Sequence, residues 1–185
     1  MDYLQLYNLE RYLFDDVRTS FQKYSKLSAF DFFCIIIWKA NRAKSKVALK
    51  LVAHGEGATN DLNTLVERLT FSIAKAQDDK TRMRVLIEGW SFRLPMATAV
   101  LTVLYPESFT VYDVRVCDEL LNHHNVQNKA RFDDLWAGYQ AYLADVRNRE
   151  PTVSALRDKD RTLWAKSFEK QLNDDISTLF QKDDA

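Results

Sequence analysis

The sequence predicts an all-α fold, a single helical unit that takes in residues 1–185. Three observations predict it. Four glycines and three prolines punctuate the 185 residues, and runs rich in Leu, Ala, Glu and Lys lie between them, a composition of helices and short connections. Apolar residues recur at helical spacing, as in Leu9, Leu13, Val17 and Phe21. Strand signal is confined to "SFTVY", Ser108 to Tyr112, too short to found a sheet.

The first helix is expected over Tyr7 to Tyr24. Ser28, with Asp31 three residues on, makes a variant capping box and opens an apolar helix from Ala29 to Lys39. Another helix, near Arg42 to Ala53, stops at Gly55, with Gly57 following. Thr59 or Asn60 caps a helix near Asp61 to Ala76, and Asp78 or Asp79 caps the next, roughly Lys80 to Glu88, which stops at Gly89. Pro95 suits the first turn of the helix that climbs to Tyr105. Asp113 can cap a helix running to about Asn122, and "HHNVQNK" reads as a polar loop in which His123 and His124 make a poor metal pair. An amphipathic helix follows near Arg131 to Asn148, Pro151 breaks it, and a last long helix or pair runs from Thr152 to Phe180.

Composition excludes several classes of protein. No apolar run reaches membrane-spanning length; the longest is "FDFFCIIIW". The N-terminus has an early acid and no basic region, so it does not read as a signal peptide. Cys34 and Cys117 sit in apolar surroundings and read as reduced core thiols of a cytoplasmic protein. Two cysteines and three scattered histidines cannot build an iron–sulfur or zinc-finger site, so no cofactor or metal is expected. Formal net charge is zero, but the charges are unevenly spread. Trp38 to Lys50 carries five basic residues and no acid. That segment is either a phosphate-facing patch or a solvated helix face.

The tight turn "GWSFR" joins two helices. Such a turn presents backbone N–H groups and a helix N-terminus outward, where they bind an anion such as a DNA phosphate. Beyond it the chain brings a lone carboxylate, Asp113, to the end of an apolar stretch and the start of the next helix. One reading is an N-cap worth about 1 kcal/mol. The other is a catalytic carboxylate held as an anion by the helix dipole.

"LPMATAVLTVLYPESFTVYDVRV" resembles the helix-hairpin-helix DNA glycosylase superfamily, which includes endonuclease III and the alkyl-base and 8-oxoguanine glycosylases. In that pattern a hairpin leads to a small-residue helix, a Pro-containing link, and apolar residues ending in an Asp before the next helix. Ala97, Leu101, Pro106, Val111 and Asp113 fall in register without a gap. The most glycosylase-like core is 28–122, with the hairpin at 89–94 and the specific match between about Gly89 and Leu120.

The resemblance implies an enzyme that extrudes a nucleotide and cleaves its base–sugar bond. Asp113 would stabilise the positive charge that builds on the sugar. The hairpin departs from the family's Leu-Pro-Gly-Val-Gly type: Gly89 is its one glycine, and Ser91 and Arg93 stand where the others would be. Either phosphate anchoring passes to the Ser91 hydroxyl and the Arg93 guanidinium, or the hairpin does not bind DNA. Members that also cut the strand carry a lysine at the gapless equivalent of Pro95, which has no amine. The implied chemistry is therefore monofunctional, with water as nucleophile. Asn41 would fill the gap left by the extruded base, or else cap the end of its helix. Lys39, Arg42 and Lys46 of the basic segment, and Arg115 just after Asp113, would contact DNA, Arg115 alternatively pairing with Asp118 or Glu119. Trp38, Trp90 and Tyr112 would stack on the base, or else serve as core or cleft wall.

The expected function is thus removal of a damaged or modified base from double-stranded DNA, in repair or in defence against foreign modified DNA. No membrane is involved, and no obligate protein partner is identifiable. A non-catalytic DNA-binding module that kept the fold, favoured by the zero net charge and the altered hairpin, stays open. So does a helical protein–protein interaction domain.

Overall fold

The computed structural model describes residues 3–55 and 61–180. Among them the chain forms eleven α-helices and no strand, the all-α class that the composition and spacing predict. α1 (Tyr3–Tyr7) and α2 (Leu9–Tyr12) are separated at Asn8, whose side chain caps α2 by accepting from the Arg11 N–H at 3.3 Å. The chain continues through a wide π-type segment, Leu13–Val17, into α3 (Arg18–Tyr24). Ser28 caps α4 (Ala29–Ala40) by accepting from the Asp31 N–H, and its hydroxyl donates back to the Asp31 carboxylate at 2.8 Å.

α5 (Lys44–His54) starts two residues later than expected, because the extended backbone at Ala40 breaks the helix and Asn41–Ala43 forms a 3-10 turn. Asp61 itself caps α6 (Leu62–Lys75), accepting from the Asn63 and Thr64 N–H groups. The expected caps Thr59 and Asn60, and Gly57, lie outside the described residues. Asp78 caps α7 (Asp79–Arg84), which runs through a second π-type segment, Val85–Gly89, into the turn. α8 (Leu94–Leu104), α9 (Val114–Leu120), α10 (Phe132–Asn148) and α11 (Leu156–Ser177) complete the fold. The last is one helix, not a pair.

α8 is the central helix. Every residue from Ala97 to Leu104 is buried, and α3, α4 and α7 pack around it. Small side chains allow that close approach. The two threonines within it stay satisfied: Thr98 Oγ1 donates to the Leu94 carbonyl at 2.9 Å, and Thr102 Oγ1 to the Thr98 carbonyl at 2.7 Å.

The stretch with strand signal, Phe109 to Tyr112, is extended but pairs with no strand. Buried backbone polar groups still need partners, and side chains supply them. Tyr139 of α10 accepts from the Thr110 N–H at 3.0 Å and donates to the Thr110 carbonyl at 2.8 Å. Tyr142 donates to the Val111 carbonyl at 2.7 Å. Thr98 of α8 accepts from the Tyr112 N–H at 2.9 Å. Two helices thereby fix the segment that delivers Asp113.

Candidate functional site

Asp113 caps α9, one carboxylate oxygen accepting from the Arg115 N–H at 3.0 Å. Its other oxygen meets the Lys39 ammonium from the last turn of α4. The pair is enclosed but not sealed: the Lys39 and Asp113 side chains are 16% and 19% exposed. It separates two openings. On one side is a cleft of about 740 Å³, bounded by Trp38, Asp113, Arg157, Asp160 and Trp164. On the other is a recess of about 230 Å³, bounded by Pro95, Tyr112, His124 and Gln127.

The far wall of the cleft belongs to α11. Arg157 ties three elements together there. Its guanidinium donates to Glu10 of α2 and to Asp160, both at 2.6 Å, and lies over the rings of Phe14 and Trp38. Asp160 is only 3% exposed. Burial pushes its carboxyl up to about 6, although the Arg157 and Lys39 charges pull the other way. Trp164 stacks on Phe168, and the Arg115 guanidinium caps both rings.

The turn between α7 and α8 lies beside a basic ridge. Ser91 takes a left-handed backbone with φ 54°, the conformation for which glycine is the easier residue. Phe92 is buried, and its N–H donates to the Leu86 carbonyl at 2.9 Å, closing the turn. The Lys50 ammonium meets the Ser91 carbonyl, and His54 Nε2 lies 3.2 Å from the Ser91 hydroxyl. Burial holds the Lys50 amine below its usual value, and repulsion from Lys46 and Arg93 adds to it. Lys46, Lys50, His54 and Arg93 therefore form one basic surface.

Several expected positions move. Tyr112 is turned into the core, 2% exposed, and its hydroxyl donates to the His123 and His124 carbonyls; it edges the recess but presents no face to stack on. Trp90 packs beside His54 at the turn and lines neither opening. Of the three aromatic candidates only Trp38 is a cleft wall, and Trp164 joins it. Lys39 is held by Asp113 inside the cleft, not on an open DNA-facing surface. Asn41 is exposed at the 3-10 turn, where its side chain accepts from the Lys44 ammonium at 2.8 Å. Arg42 and Lys46 are exposed. Gly89 meets no steric demand, since a Cβ there would touch nothing within 4 Å; the strained position is Ser91. Arg115 pairs with neither Asp118 nor Glu119, because Trp164 and Phe168 hold its guanidinium while Asp118 takes His124 at 2.7 Å.

The sequence reading missed Arg157, Asp160 and Trp164 on α11, and Lys50 and His54 on α5. For α5 the signal was present, because Lys46, Lys50 and His54 recur every four residues and share a helix face. For α11 the mixed charge of "LRDKDRTLW" masked it.

Comparison with protein-family models finds no match, and no curated protein or solved structure matches the chain. The class that stands is an all-α protein, with no helix among the described residues long and apolar enough to cross a membrane. It carries a cleft, walled by both aromatic and charged side chains, over a capping carboxylate.

Proposed function

We propose that this chain is a DNA N-glycosylase of the helix-hairpin-helix kind, removing a damaged or modified base from duplex DNA. One observation carries the reading. The aspartate that completes the glycosylase-like pattern lines a cleft of about 740 Å³, room enough for an extruded nucleoside. In this reading the base enters between Trp38 and Trp164, and the sugar lies over Asp113. As the glycosidic bond breaks, the fixed carboxylate stabilises the cationic sugar and orients water for attack on C1′. The turn and its basic ridge hold the backbone phosphates. Repair of a lesion and attack on foreign modified DNA use the same chemistry.

The test is incubation with duplexes carrying a panel of lesions and natural base modifications, scoring abasic sites. Release of a base with the strand intact until hot alkali is the expected result. DNA binding with no base released from any duplex would make the chain a binding module, and no salt-dependent binding would leave a protein-interaction domain.

One contact bears on how the reaction ends. Pro95 lines the recess but brings no amine, whereas Lys39 reaches Asp113 from α4. As an ammonium paired to a carboxylate it has no free lone pair, so hydrolysis by water is the expected course and borohydride should trap nothing. A trapped adduct that disappears in Lys39→Gln would assign the amine to Lys39.

DNA affinity should depend on the ridge. Lys46→Ala with Arg93→Ala is expected to weaken binding to all duplexes alike and to lower the salt slope by about one unit per lost phosphate contact. An unchanged slope would place DNA on another face.

A further inference from the structure

We infer that Asp160 is a second catalytic carboxyl of this cleft, the proton donor to the departing base; this rests on the base-excision reading above. Asp160 and Asp113 line the same cleft from different elements, α11 and the start of α9. The two cannot share a role. A carboxylate that stabilises a cationic sugar must be ionised, and one that protonates a leaving base must carry a proton. Pairs of carboxyls set to opposite states by their surroundings are how one site does both kinds of work.

The surroundings differ in that sense. Asp113 accepts from an ammonium and a backbone N–H at a helix start. Asp160 is 3% exposed, with Arg157 at 2.6 Å as its partner on the same helix. Lys39 of α4, Asp113, and Tyr139 and Tyr142 of α10 are the other titratable groups that face it, and Glu10 of α2 joins through Arg157. Burial is the largest influence and favours the neutral acid. Arg157, shared with Glu10, keeps the carboxyl aligned while its charge is divided between two acids.

The step balances without another reactant. The Asp160 proton passes to a ring nitrogen of the base as the C1′–N bond breaks, and the bonding electrons leave with the base. Asp113 holds the resulting cation. Water adds to C1′, and the proton it releases returns through solvent to Asp160. Sugar, base and water account for every atom.

The experiment uses the full chain and duplexes carrying the base it releases best, together with analogues graded in leaving-group acidity. Asp160→Asn keeps an acceptor for Arg157 but has no acidic proton. It should slow excision by about 10²-fold on the poorest leaving group. The loss should shrink as the leaving group becomes more acidic. Wild-type rates should fall as pH rises through about 6, and the variant should lose that limb.

An equal loss across the series would assign Asp160 a structural role and overturn the inference, as would no loss at all. If Asp160→Asn does not fold, the wild-type chain still decides: the pH limb must flatten for the most acidic leaving groups, and a limb of constant height refutes the proposal. A wild-type chain that releases no base removes the underlying reading, and this inference with it.

Discussion

Asp113→Asn is expected to keep the fold and the DNA affinity and to lose base excision by at least about 10²–10³-fold. Asparagine is nearly as good an N-cap as aspartate, so the Arg115 N–H keeps its acceptor and α9 keeps its start. With the amide oxygen on the Arg115 N–H, the Lys39 ammonium loses the second oxygen it meets in the wild type. What disappears is the negative charge at the mouth of the cleft. The substitution thus separates the two readings of this residue that the sequence alone left side by side. A single-turnover excision assay, run beside a duplex-binding titration and a thermal melt, measures all three properties. Normal excision by the variant would reduce Asp113 to a cap.

Tyr139→Phe should destabilise the protein more than any other loss of one hydroxyl. The Tyr139 oxygen serves both the N–H and the carbonyl of Thr110, and residue and partner are fully buried. Removing it strands two backbone groups where water does not reach, at about 1–3 kcal/mol each. Tyr142→Phe strands the Val111 carbonyl and gives up a weaker contact with the Asp113 backbone, so its cost should be smaller. Urea unfolding of the two variants gives the comparison, and equal midpoints would contradict it. Because Thr110 stands three residues before Asp113, a loosened segment should also reduce excision by a variant that remains folded.

These residues mark the line between what was legible and what was not. Ser28, Asp78, Pro95 and Asp113 act on neighbours within a turn, so their positions in the sequence already stated their roles, and the structure has each at its helix start. The strand signal of Ser108 to Tyr112 was a true report of extended backbone. It was silent on the partners, because Tyr139 and Tyr142 lie about thirty residues further on. Trp90 and Tyr112 lie away from the large cleft for a related reason. An aromatic next to a functional position faces the core or the cleft according to packing, and Tyr112 found two carbonyls inside.

The helical class, most helix boundaries, the caps and the carboxylate at the start of α9 were determined by the sequence itself, because each depends on side-chain periodicity or on contacts within a few residues. The cleft was decided only by tertiary structure. Lys39 reaches Asp113 across 74 residues of chain, and Arg157 reaches Glu10 across 147. Separations of that size carry no local pattern. They are set when α4 packs on α8 while α11 packs on α9 and α10, and charged side chains at the edges of those contacts are then brought together in a low-dielectric space that none of the segments has alone.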